Sequence, residues 1–308
     1  MVDAACDLPP EFLAAHGIDV LPIQVRDASG QALDLADPAT RLAFYAGAMR
    51  AQARSLETVP CRPAAIVERA LGQWVRRYDF VFCQTLSRSR SAQYDHATRA
   101  SFEVLSDYRA SRDAAGRSGP FALRVQNSGS FFAGQGVLAA ETARLIASGL
   151  PPTELRTRLE RLGEAVQAYA VPRDLGFLRA RMLRRGDHSL GRLGTLGSRL
   201  IGLRPVLSGR RDRTRVLARV RGHKAACGRL LAHLRRQVER GLQAPFVVLS
   251  YAGPLEELRA LPGHAELAAS CEAAGVRLLE CVMNPPGAVN LGPGALSAGV
   301  LGKRRKFQ

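Results

Sequence analysis

Lysine is almost missing from this chain, and its scarcity affects how the charge is interpreted. Only three of the 44 basic residues are lysines, so arginine carries nearly all of the formal net charge of +17. Aromatic residues make up 6% of the chain, and the densest arginine clusters, 179–185 and 210–221, are poor in them. A surface that binds nucleic acid through its bases needs aromatic rings beside its basic residues. A basic nucleic-acid-binding protein is therefore a minor alternative, and an anionic membrane surface or an acidic partner fits the charge at least as well.

Long apolar runs and paired cysteines are also absent. No run of 18 apolar residues exists, so no membrane-spanning helix is expected. The first residues lack a basic stretch followed by an apolar one, so we expect no secretory signal there. The six cysteines form no C-x-x-C pair, and the six histidines show no metal-ligand spacing. These absences predict a cytoplasmic protein with reduced thiols, no metal and no cofactor.

The motifs of the commonest hydrolase and nucleotide sites are missing as well. There is no G-x-S-x-G nucleophile elbow and no G-x-x-x-x-G-K-[ST] phosphate loop. Gly134-x-Gly136-x-x-Ala139 fits a dinucleotide fingerprint by letters alone, because it begins well past the end of the preceding strand. We interpret its glycines as a place where a helix packs closely. A general base is one interpretation of His96, but a histidine on such a helix is usually structural or solvated.

The chain does have 308 residues and 46% hydrophobic side chains, enough to fill two cores. Its first half alternates apolar strands with helices, which is the pattern of a parallel, Rossmann-like sheet. Strands are expected at 18–25, 80–83 and 121–125. On such a sheet the loops that follow the strands gather along one edge, where open parallel sheets bind their ligands.

The second half has a different pattern, and Pro151-Pro152 marks the boundary. A helix is expected from 152 to 168, then two strands joined by a polar turn at 208–214, and later a glycine- and proline-rich loop at 284–294. We therefore predict an α/β fold of two domains. The predicted domains are an N-terminal parallel-sheet domain (1–150) and a C-terminal domain with a mixed sheet (151–302), followed by a basic, solvated tail (303–308).

The opening segment, Val2-Asp3-Ala4-Ala5-Cys6-Asp7-Leu8-Pro9-Pro10, places two carboxylates where a strand turns into a helix. Asp7 is expected to cap the helix that begins at the prolines, and Gly17 is expected to end it. The loop lies on the ligand-binding edge of the predicted sheet. One alternative function is therefore an enzyme that uses Asp3, Asp7 and Ser91 on a small phosphorylated or hydroxylated substrate.

Hydroxyl side chains lie in later loops of the same half. Thr58 is in the predicted loop 55–62, and Ser91 ends the run Ser87-Arg88-Ser89-Arg90-Ser91 before a helix that starts near Ala92. Each hydroxyl can donate to an anionic oxygen, and free backbone donors at the helix start point the same way. This pattern suits a carboxylate or phosphate held without a buried counter-charge, although capping a helix is the commoner role of such hydroxyls.

Taken in order, these segments resemble the DegV family of bacterial fatty-acid-binding proteins. Family members begin with Asp-Ser-x-x-Asp-Leu-Pro, and this chain has Asp3-Ala4-Ala5-Cys6-Asp7-Leu8-Pro9, with Ala4 in place of the serine. They also carry Ser-x-x-x-Ser-Gly-Thr-Tyr, which residues 87–94 match at both serines and at the tyrosine. The family's terminal Gly-Pro-Gly-Ala-Leu stands here at residues 292–296. The ordered resemblance runs from residue 3 to about residue 298.

The resemblance implies a fatty acid that binds at the interface of the two domains, with its carboxylate on Thr58 and Ser91. Thr58 stands where the family has Thr-Ser-Gln-Pro-Ser, and only the threonine is kept. Asn290 replaces the family's histidine before Gly-Pro-Gly; its amide can still donate to the head group but cannot become a cation. Arg185-Gly186-Asp187-His188 replaces the family's Lys-Gly-Gly-Arg turn, so the ligand chemistry can differ from the family's.

The resemblance also implies binding without catalysis. A long-chain fatty acid such as palmitate gains about 0.8 kcal/mol per buried methylene, so an apolar tunnel would supply the affinity and the head-group contacts the orientation. A separate ATP-dependent fatty acid kinase would phosphorylate the presented carboxylate, for lipid metabolism or transport. Arg221 and Lys224 are candidate contacts for phosphate or partner, in a stretch similar to the family's Val-Arg-x-x-Lys-Lys-Ala. Family members carry several apolar residues before the first aspartate, so we expect the natural start to lie upstream of Met1.

Overall fold

The computed structural model describes residues 1–184, 202–303 and 305–307 of the chain. The strands are β1 (Val2–Asp3), β2 (Val20–Leu21), β3 (Ile23–Arg26), β4 (Glu57–Pro60), β5 (Phe80–Thr85), β6 (Ala122–Asn127), β7 (Val166–Val171), β8 (Leu203–Arg210), β9 (Arg213–Arg221), β10 (Phe246–Tyr251), β11 (Arg277–Val282) and β12 (Leu296–Leu301). The helices are α1 (Pro10–Ala15), α2 (Pro38–Ala46), α3 (Ala48–Ala51), α4 (Pro63–Arg69), α5 (Val75–Arg77), α6 (Gln93–Asp113), α7 (Ala133–Ala147), α8 (Pro152–Ala165), α9 (Leu175–Arg184), α10 (His223–Glu239), α11 (Leu255–Arg259), α12 (His264–Ala273) and α13 (Pro285–Leu291), with a π-helical turn, Ala70–Trp74, between α4 and α5.

The strands form a parallel sheet, a mixed sheet and a small ribbon. The parallel sheet has the order β2-β1-β5-β6, and the mixed sheet has the order β11-β10-β12-β7-β8-β9. Only β10 and β11 are parallel neighbours in the mixed sheet. The predicted α/β class, with a parallel sheet followed by a mixed one, is confirmed. The division into domains at residue 150 stays a prediction.

The single strand predicted at 18–25 is two strands in the structure. β2 ends at Leu21 and β3 begins at Ile23, and β3 pairs with β4 in the antiparallel ribbon instead of extending the parallel sheet. Pro22 stands between them and has no backbone N–H to donate to a ladder, so the pairing changes there. The amino group of Met1 lies in the interior, donates to the carbonyl oxygen of Phe82 at 2.6 Å, and has its pKa lowered by burial.

Two predicted elements of the second half were wrong. The helix predicted to run to residue 168 ends at Ala165, and β7 follows it with all six residues buried. Because both faces of β7 are covered, its sequence lacks the alternation that marks a half-exposed strand. The loop predicted at 284–294 contains α13, whose prolines stand in the first turn, where a helix needs no backbone donor.

Helix α7 lies between the two sheets and is buried on nearly every side, with 12 of its 15 residues buried. A Cβ atom added to Gly136 would lie 2.1 Å from the carbonyl oxygen of Asp7. One added to Gly134 would lie 2.5 Å from the Cβ of Ala168 on β7. The interpretation of these glycines as a site of close helix packing is confirmed.

Several sequence-based expectations concern what the chain lacks. All six cysteines are free thiols, and five of them are buried. Within the described ranges, no helix has the length and hydrophobicity to cross a membrane. The same ranges hold no group of three histidine, cysteine or acidic side chains arranged to bind a metal ion. The sequence also predicts a helix near 193–200; that segment and residues 185–188, which replace the family's turn, lie outside the described residues.

Candidate functional site

Asp3 ties together two loops at the carboxyl edge of the parallel sheet. Its Oδ1 accepts hydrogen bonds from the backbone N–H of Ala5 at 3.0 Å and from the side chain of Gln135 at 3.2 Å, and its Oδ2 accepts from the N–H of Leu86 at 2.6 Å. Asp3 is fully buried, and burial raises its pKa to about 6 against the opposing effect of these donors. The carboxylate therefore holds the loop after β1 against the loop after β5.

Asp7 does not cap α1, which corrects the sequence-based prediction. Pro9 occupies the N-cap position, and no side chain caps the helix. Asp7 instead accepts hydrogen bonds from the Ser250 hydroxyl on β10 at 2.5 Å and from the N–H of Asn284 at 2.9 Å. Burial raises the pKa of Asp7 to about 7. The capping pattern is local, and these two partners lie far away in sequence, so only the tertiary structure places them. Gly17, with φ of +57°, does follow the last turn of α1.

Thr58 lies in β4, not in a loop as predicted. It stands directly opposite Val25 of β3 in the antiparallel register. Because opposite residues of an antiparallel pair point to the same face, the half-buried Thr58 side chain lies on the face where Val25 is buried. The strand therefore presents a hydroxyl beside an apolar surface.

Ser91 is half-buried and precedes the first turn of α6, where its Oγ accepts a hydrogen bond from the N–H of Gln93 at 3.2 Å. Two side chains of α6 also contact the backbone of Cys61, the residue that follows β4. Gln93 Oε1 accepts from the N–H of Cys61 at 2.9 Å, and His96 Nδ1 lies 2.9 Å from the Cys61 carbonyl oxygen. These contacts bring the strand that carries Thr58 to the helix that follows Ser91. His96 has a structural contact here, as expected.

An apolar cluster that both halves of the chain build adjoins the ribbon, and we call it the shared cluster. It includes Ile23, Val25, Tyr45 and Leu86 from the first half and Phe177, Leu207, Met283 and Val289 from the second. The Tyr45 hydroxyl donates to the carbonyl oxygen of Met283 at 2.8 Å, which joins the two halves within the cluster. Thr58 therefore stands on the face of the ribbon that packs against the shared cluster.

The other predicted site residues lie farther along the chain. Asn290 is half-buried on α13, where its side-chain amide donates to the carbonyl oxygen of Pro286 at 2.7 Å. Arg221 ends β9 and Lys224 lies in the first turn of α10, and both are exposed. One residue that the sequence analysis did not single out, Asp212, reaches the Ser87–Ser91 loop from the second half. The sequence around Asp212 gives no signal of this role, since its partners in that loop lie more than 120 residues away.

Two cavities open beside the parallel sheet. One, of about 530 Å³, lies between β6, α8 and the β8–β9 turn, and the other, of about 690 Å³, lies between α1, the end of α7 and the π-helical turn. Neither is lined by Thr58, Ser91 or Asn290. Thr58 therefore belongs to the ribbon beside the shared cluster, and Ser91 to the loop before α6, and neither borders these cavities.

The fold and the site define a class: an α/β protein with a parallel and a mixed sheet, whose apolar cluster between the halves is bordered by the uncharged hydroxyl of Thr58. The chain belongs to the DegV family, because the sequence model of that uncharacterised protein family matches residues 1–303. It is also 41% identical over 307 residues to a DegV domain-containing protein of Xanthomonas axonopodis pv. citri, covering 100% of this chain and 98% of that protein. The resemblance seen in the sequence motifs is confirmed.

Solved structures with lower identity share the whole fold. A stearic-acid-binding protein from Eubacterium ventriosum superposes with a TM-score of 0.76 at 18% identity, covering 99% of this chain and 97% of that one. A fatty-acid-binding DegV family protein from Thermus thermophilus superposes with a TM-score of 0.75 at 22% identity, covering 98% of both chains. At these identities the likeness establishes the architecture of this chain.

Proposed function

We propose that this protein binds a long-chain fatty acid, such as palmitate, between its two halves, with the carboxylate on the hydroxyls of Thr58 and Ser91. The observation that supports this most directly is the pair of contacts that Gln93 and His96 make with the backbone of Cys61, because they join the segment of Thr58 to the segment of Ser91. Neutral donors are enough to orient a carboxylate, and they leave it free for later chemistry. That relatives with this fold bind fatty acids agrees with the proposal.

The shared cluster is the proposed path of the acyl chain. It is apolar, both halves contribute to it, and Thr58 stands at its border on the ribbon. Each methylene that moves from water into such surroundings gains about 0.8 kcal/mol, so the hydrocarbon provides the affinity. The head-group contacts then decide which end of the ligand faces the sheet edge. Asn290 on α13 is a further proposed contact of the carboxylate.

Burial of the two aspartates argues against the enzyme alternative. Asp3 and Asp7 are both fully buried, and donors from the protein bind both oxygens of each carboxylate. A catalytic carboxylate has to reach a substrate atom, and these two instead hold loops and sheets together. Binding and presentation of a ligand is the function that the remaining groups favour.

The bound ligand is the direct test of this function. We expect that the protein, expressed in bacteria and purified without detergent, carries a long-chain fatty acid that native mass spectrometry and organic extraction both detect. A parallel purification of an unrelated basic protein of similar size controls for lipid carried over from the lysate. Purified protein that carries no acyl chain, and takes up none when fatty acid is added, would contradict the proposal.

Removing the two hydroxyls should weaken the recognition of the carboxylate. We expect a Thr58→Val and Ser91→Ala double variant to bind a fatty acid about thirtyfold more weakly, since two hydrogen bonds of about 1 kcal/mol each are lost. Its affinity for the methyl ester of the same acid should change much less. Titration with a fluorescent fatty acid, displaced by the acid or by the ester, measures both affinities.

Thermal unfolding of the same variants separates binding from folding. Ser91→Ala also removes an acceptor for the first turn of α6, which costs about 1 kcal/mol of stability. Ser101→Ala on the same helix is the matched control, because its hydroxyl bonds only the carbonyl oxygen of Thr98, within that helix. If the double variant binds the acid as tightly as the unchanged protein, the assignment of the head group is wrong.

We further propose that a separate ATP-dependent fatty acid kinase acts on the presented carboxylate in the cytoplasm. Arg221 and Lys224 are the candidate contacts for a phosphate group or for that partner. Arg213, Arg215 and Arg219 are exposed on β9 like Arg221, and none of the four forms an ion pair within the described ranges. Exposed cations of this kind also suit transient contact with an anionic membrane. Acyl phosphate formed from loaded protein and ATP alone, with no partner, would favour the enzyme alternative.

A further inference from the structure

The Ser87–Ser91 segment, which we call the head-group loop, is held by a hairpin tip from the other half of the chain. Strands β8 and β9 pair antiparallel, with Arg210 opposite Arg213, so that Arg211 and Asp212 form a two-residue tip. The backbone N–H of Asp212 donates to the carbonyl oxygen of Gly129 at 3.1 Å. The tip therefore rests on the loop after β6, next to the head-group loop.

Each of the four loop residues that precede Ser91 contacts this hairpin. The Ser87 hydroxyl donates to Asp212 Oδ1 at 2.5 Å, and the Ser89 hydroxyl donates to the Asp212 carbonyl oxygen at 2.9 Å. Arg88 Nε lies 3.8 Å from Asp212 Oδ2, and the guanidinium of Arg90 donates to the Thr214 hydroxyl. The hairpin thus fixes the path of the chain up to the residue before Ser91.

A neighbouring side chain completes the surroundings of the Asp212 carboxylate. The amide of Asn127, the last residue of β6, donates to Asp212 Oδ1 at 3.1 Å and to Oδ2 at 2.9 Å. The carboxylate therefore joins two consecutive loops at the carboxyl edge of the parallel sheet. Removing it would leave the amide of Asn127 and the hydroxyl of Ser87 without this acceptor.

Both residues of the tip have positive φ, a backbone conformation that is unfavourable for residues other than glycine and asparagine. Arg211 has φ of +48° and Asp212 has φ of +61°, in the left-handed region. Two-residue hairpin turns with positive φ at both positions strongly favour Asn-Gly, because other residues are strained there. The side chains offset this cost through their contacts, since Arg211 also pairs with Glu164 of α8 at 2.7 Å.

We propose that Asp212 is a positioning residue for carboxylate recognition, which holds the head-group loop so that the Ser91 hydroxyl faces the ligand. Asp212 acts through the loop and does not contact the fatty acid. This inference rests on the proposed function, because it gives the loop a role only if Ser91 binds the carboxylate.

Asp212→Gly tests the inference without weakening the hairpin, because glycine suits the second position of such a turn. We expect the variant to bind the fatty acid about fivefold more weakly, the loss expected for one hydrogen bond to the carboxylate, and to bind its methyl ester unchanged. Its thermal midpoint should fall by only a few degrees, since the better turn residue offsets part of the loss of the hydrogen bonds from Asn127 and Ser87. Asp212→Asn keeps one acceptor oxygen and tolerates positive φ, so its affinity for the fatty acid should lie between that of the unchanged protein and that of Asp212→Gly.

A double variant separates this inference from the proposed function. Since Asp212 acts only through Ser91, Ser91→Ala combined with Asp212→Gly should bind the acid no more weakly than Ser91→Ala alone. If Ser91→Ala weakens acid binding but Asp212→Gly does not, or if Asp212→Gly weakens acid and ester alike, the positioning role is overturned and the fatty acid site stands. If Ser91→Ala itself leaves acid binding unchanged, the head-group assignment fails, and the role of Asp212 fails with it.

Discussion

Gly136→Ala is expected to lower the free energy of unfolding by about 3 kcal/mol, a large loss for one added methyl group. The new Cβ atom would lie 2.1 Å from the backbone carbonyl oxygen of Asp7. A backbone atom in the interior cannot turn aside as the end of a flexible side chain can, so α7 or the loop after β1 would have to move. Urea unfolding followed by circular dichroism measures the loss.

Two further variants make this expectation specific. Gly299→Ala on β12 meets the same helix from the other sheet, with its Cβ 2.1 Å from the carbonyl oxygen of Ala133, and should cost a similar amount. Gly163→Ala on α8 is the matched control, because its Cβ would lie 3.6 Å from the nearest atom, the side-chain nitrogen of Gln126. This control should be neutral or gain up to about 1 kcal/mol, since alanine favours a helix. Equal effects of Gly136→Ala and Gly163→Ala would show that α7 is not wedged between the sheets.

Asp7→Asn is expected to stabilise the protein at pH 8 by about 4 kcal/mol and to leave its stability nearly unchanged at pH 4. The pKa of Asp7 rises from 3.8 to about 7 on folding, because burial disfavours the charged carboxylate. Between pH 3.8 and about pH 7, Asp7 is protonated in the folded protein and ionised in the unfolded chain. The folded protein therefore binds more protons, and the free energy of unfolding falls as the pH rises through this window. An amide cannot ionise, and it can still accept from Asn284 N–H while it donates to the Ser250 hydroxyl.

The difference between the variant and the unchanged protein is the quantity to measure, by urea unfolding at half-unit steps from pH 4 to pH 8. His223 and His233 have pKa values lowered to about 4, so they alter the pH dependence of both proteins alike and cancel in the difference. A difference that stays constant across this range would mean that the Asp7 carboxylate is not destabilised by burial.

Asp3→Asn is the contrasting variant, since the same change at Asp3 cannot satisfy its partners. All of the partners of Asp3 are N–H donors, from Ala5, Leu86 and Gln135. The new amide nitrogen would face one of these donors and leave it without an acceptor, at a cost of about 1–3 kcal/mol. At pH 5, which is below the raised pKa of Asp3, the Asp3 carboxyl is mostly neutral in the folded protein, so removing its charge gains little and the full cost should be measured. Asp3→Asn should then lower the free energy of unfolding while Asp7→Asn raises it, because their hydrogen-bond partners differ.

Much of the fold could be predicted from local patterns. Asp37 caps α2 through the N–H of Thr40, and the apolar run at 80–83 lies in β5 of the parallel sheet. Such signals depend on neighbours within a few residues, which the sequence displays directly. β7 was misread because burial on both faces removes the alternation of polar and apolar residues that identifies a strand. Thr58 was placed in a loop because β4 is a short ribbon strand with a proline at its end.

The candidate site divides in the same way. Thr58 and Ser91 could be predicted from the sequence, because both are hydroxyl residues at positions that match the motifs of the DegV family. The contacts of Gln93 and His96 with the backbone of Cys61 could not be predicted from the sequence. Nothing near either residue along the chain distinguishes it, and only the fold brings both within 2.9 Å of that backbone. Asp212 was overlooked for the same reason, since it meets the head-group loop only after both halves have folded.

The α/β class, the family and the hydroxyl-bearing segments follow from local patterns, because each depends on residues that are close together along the chain. Three features follow only from the folded structure: Asp7 joins the first loop to the second sheet, α7 packs without room for one methyl group, and a hairpin tip holds the head-group loop. Contacts of this kind join residues more than 100 positions apart, and their energies depend on distances of a few ångströms that no local pattern of side chains encodes.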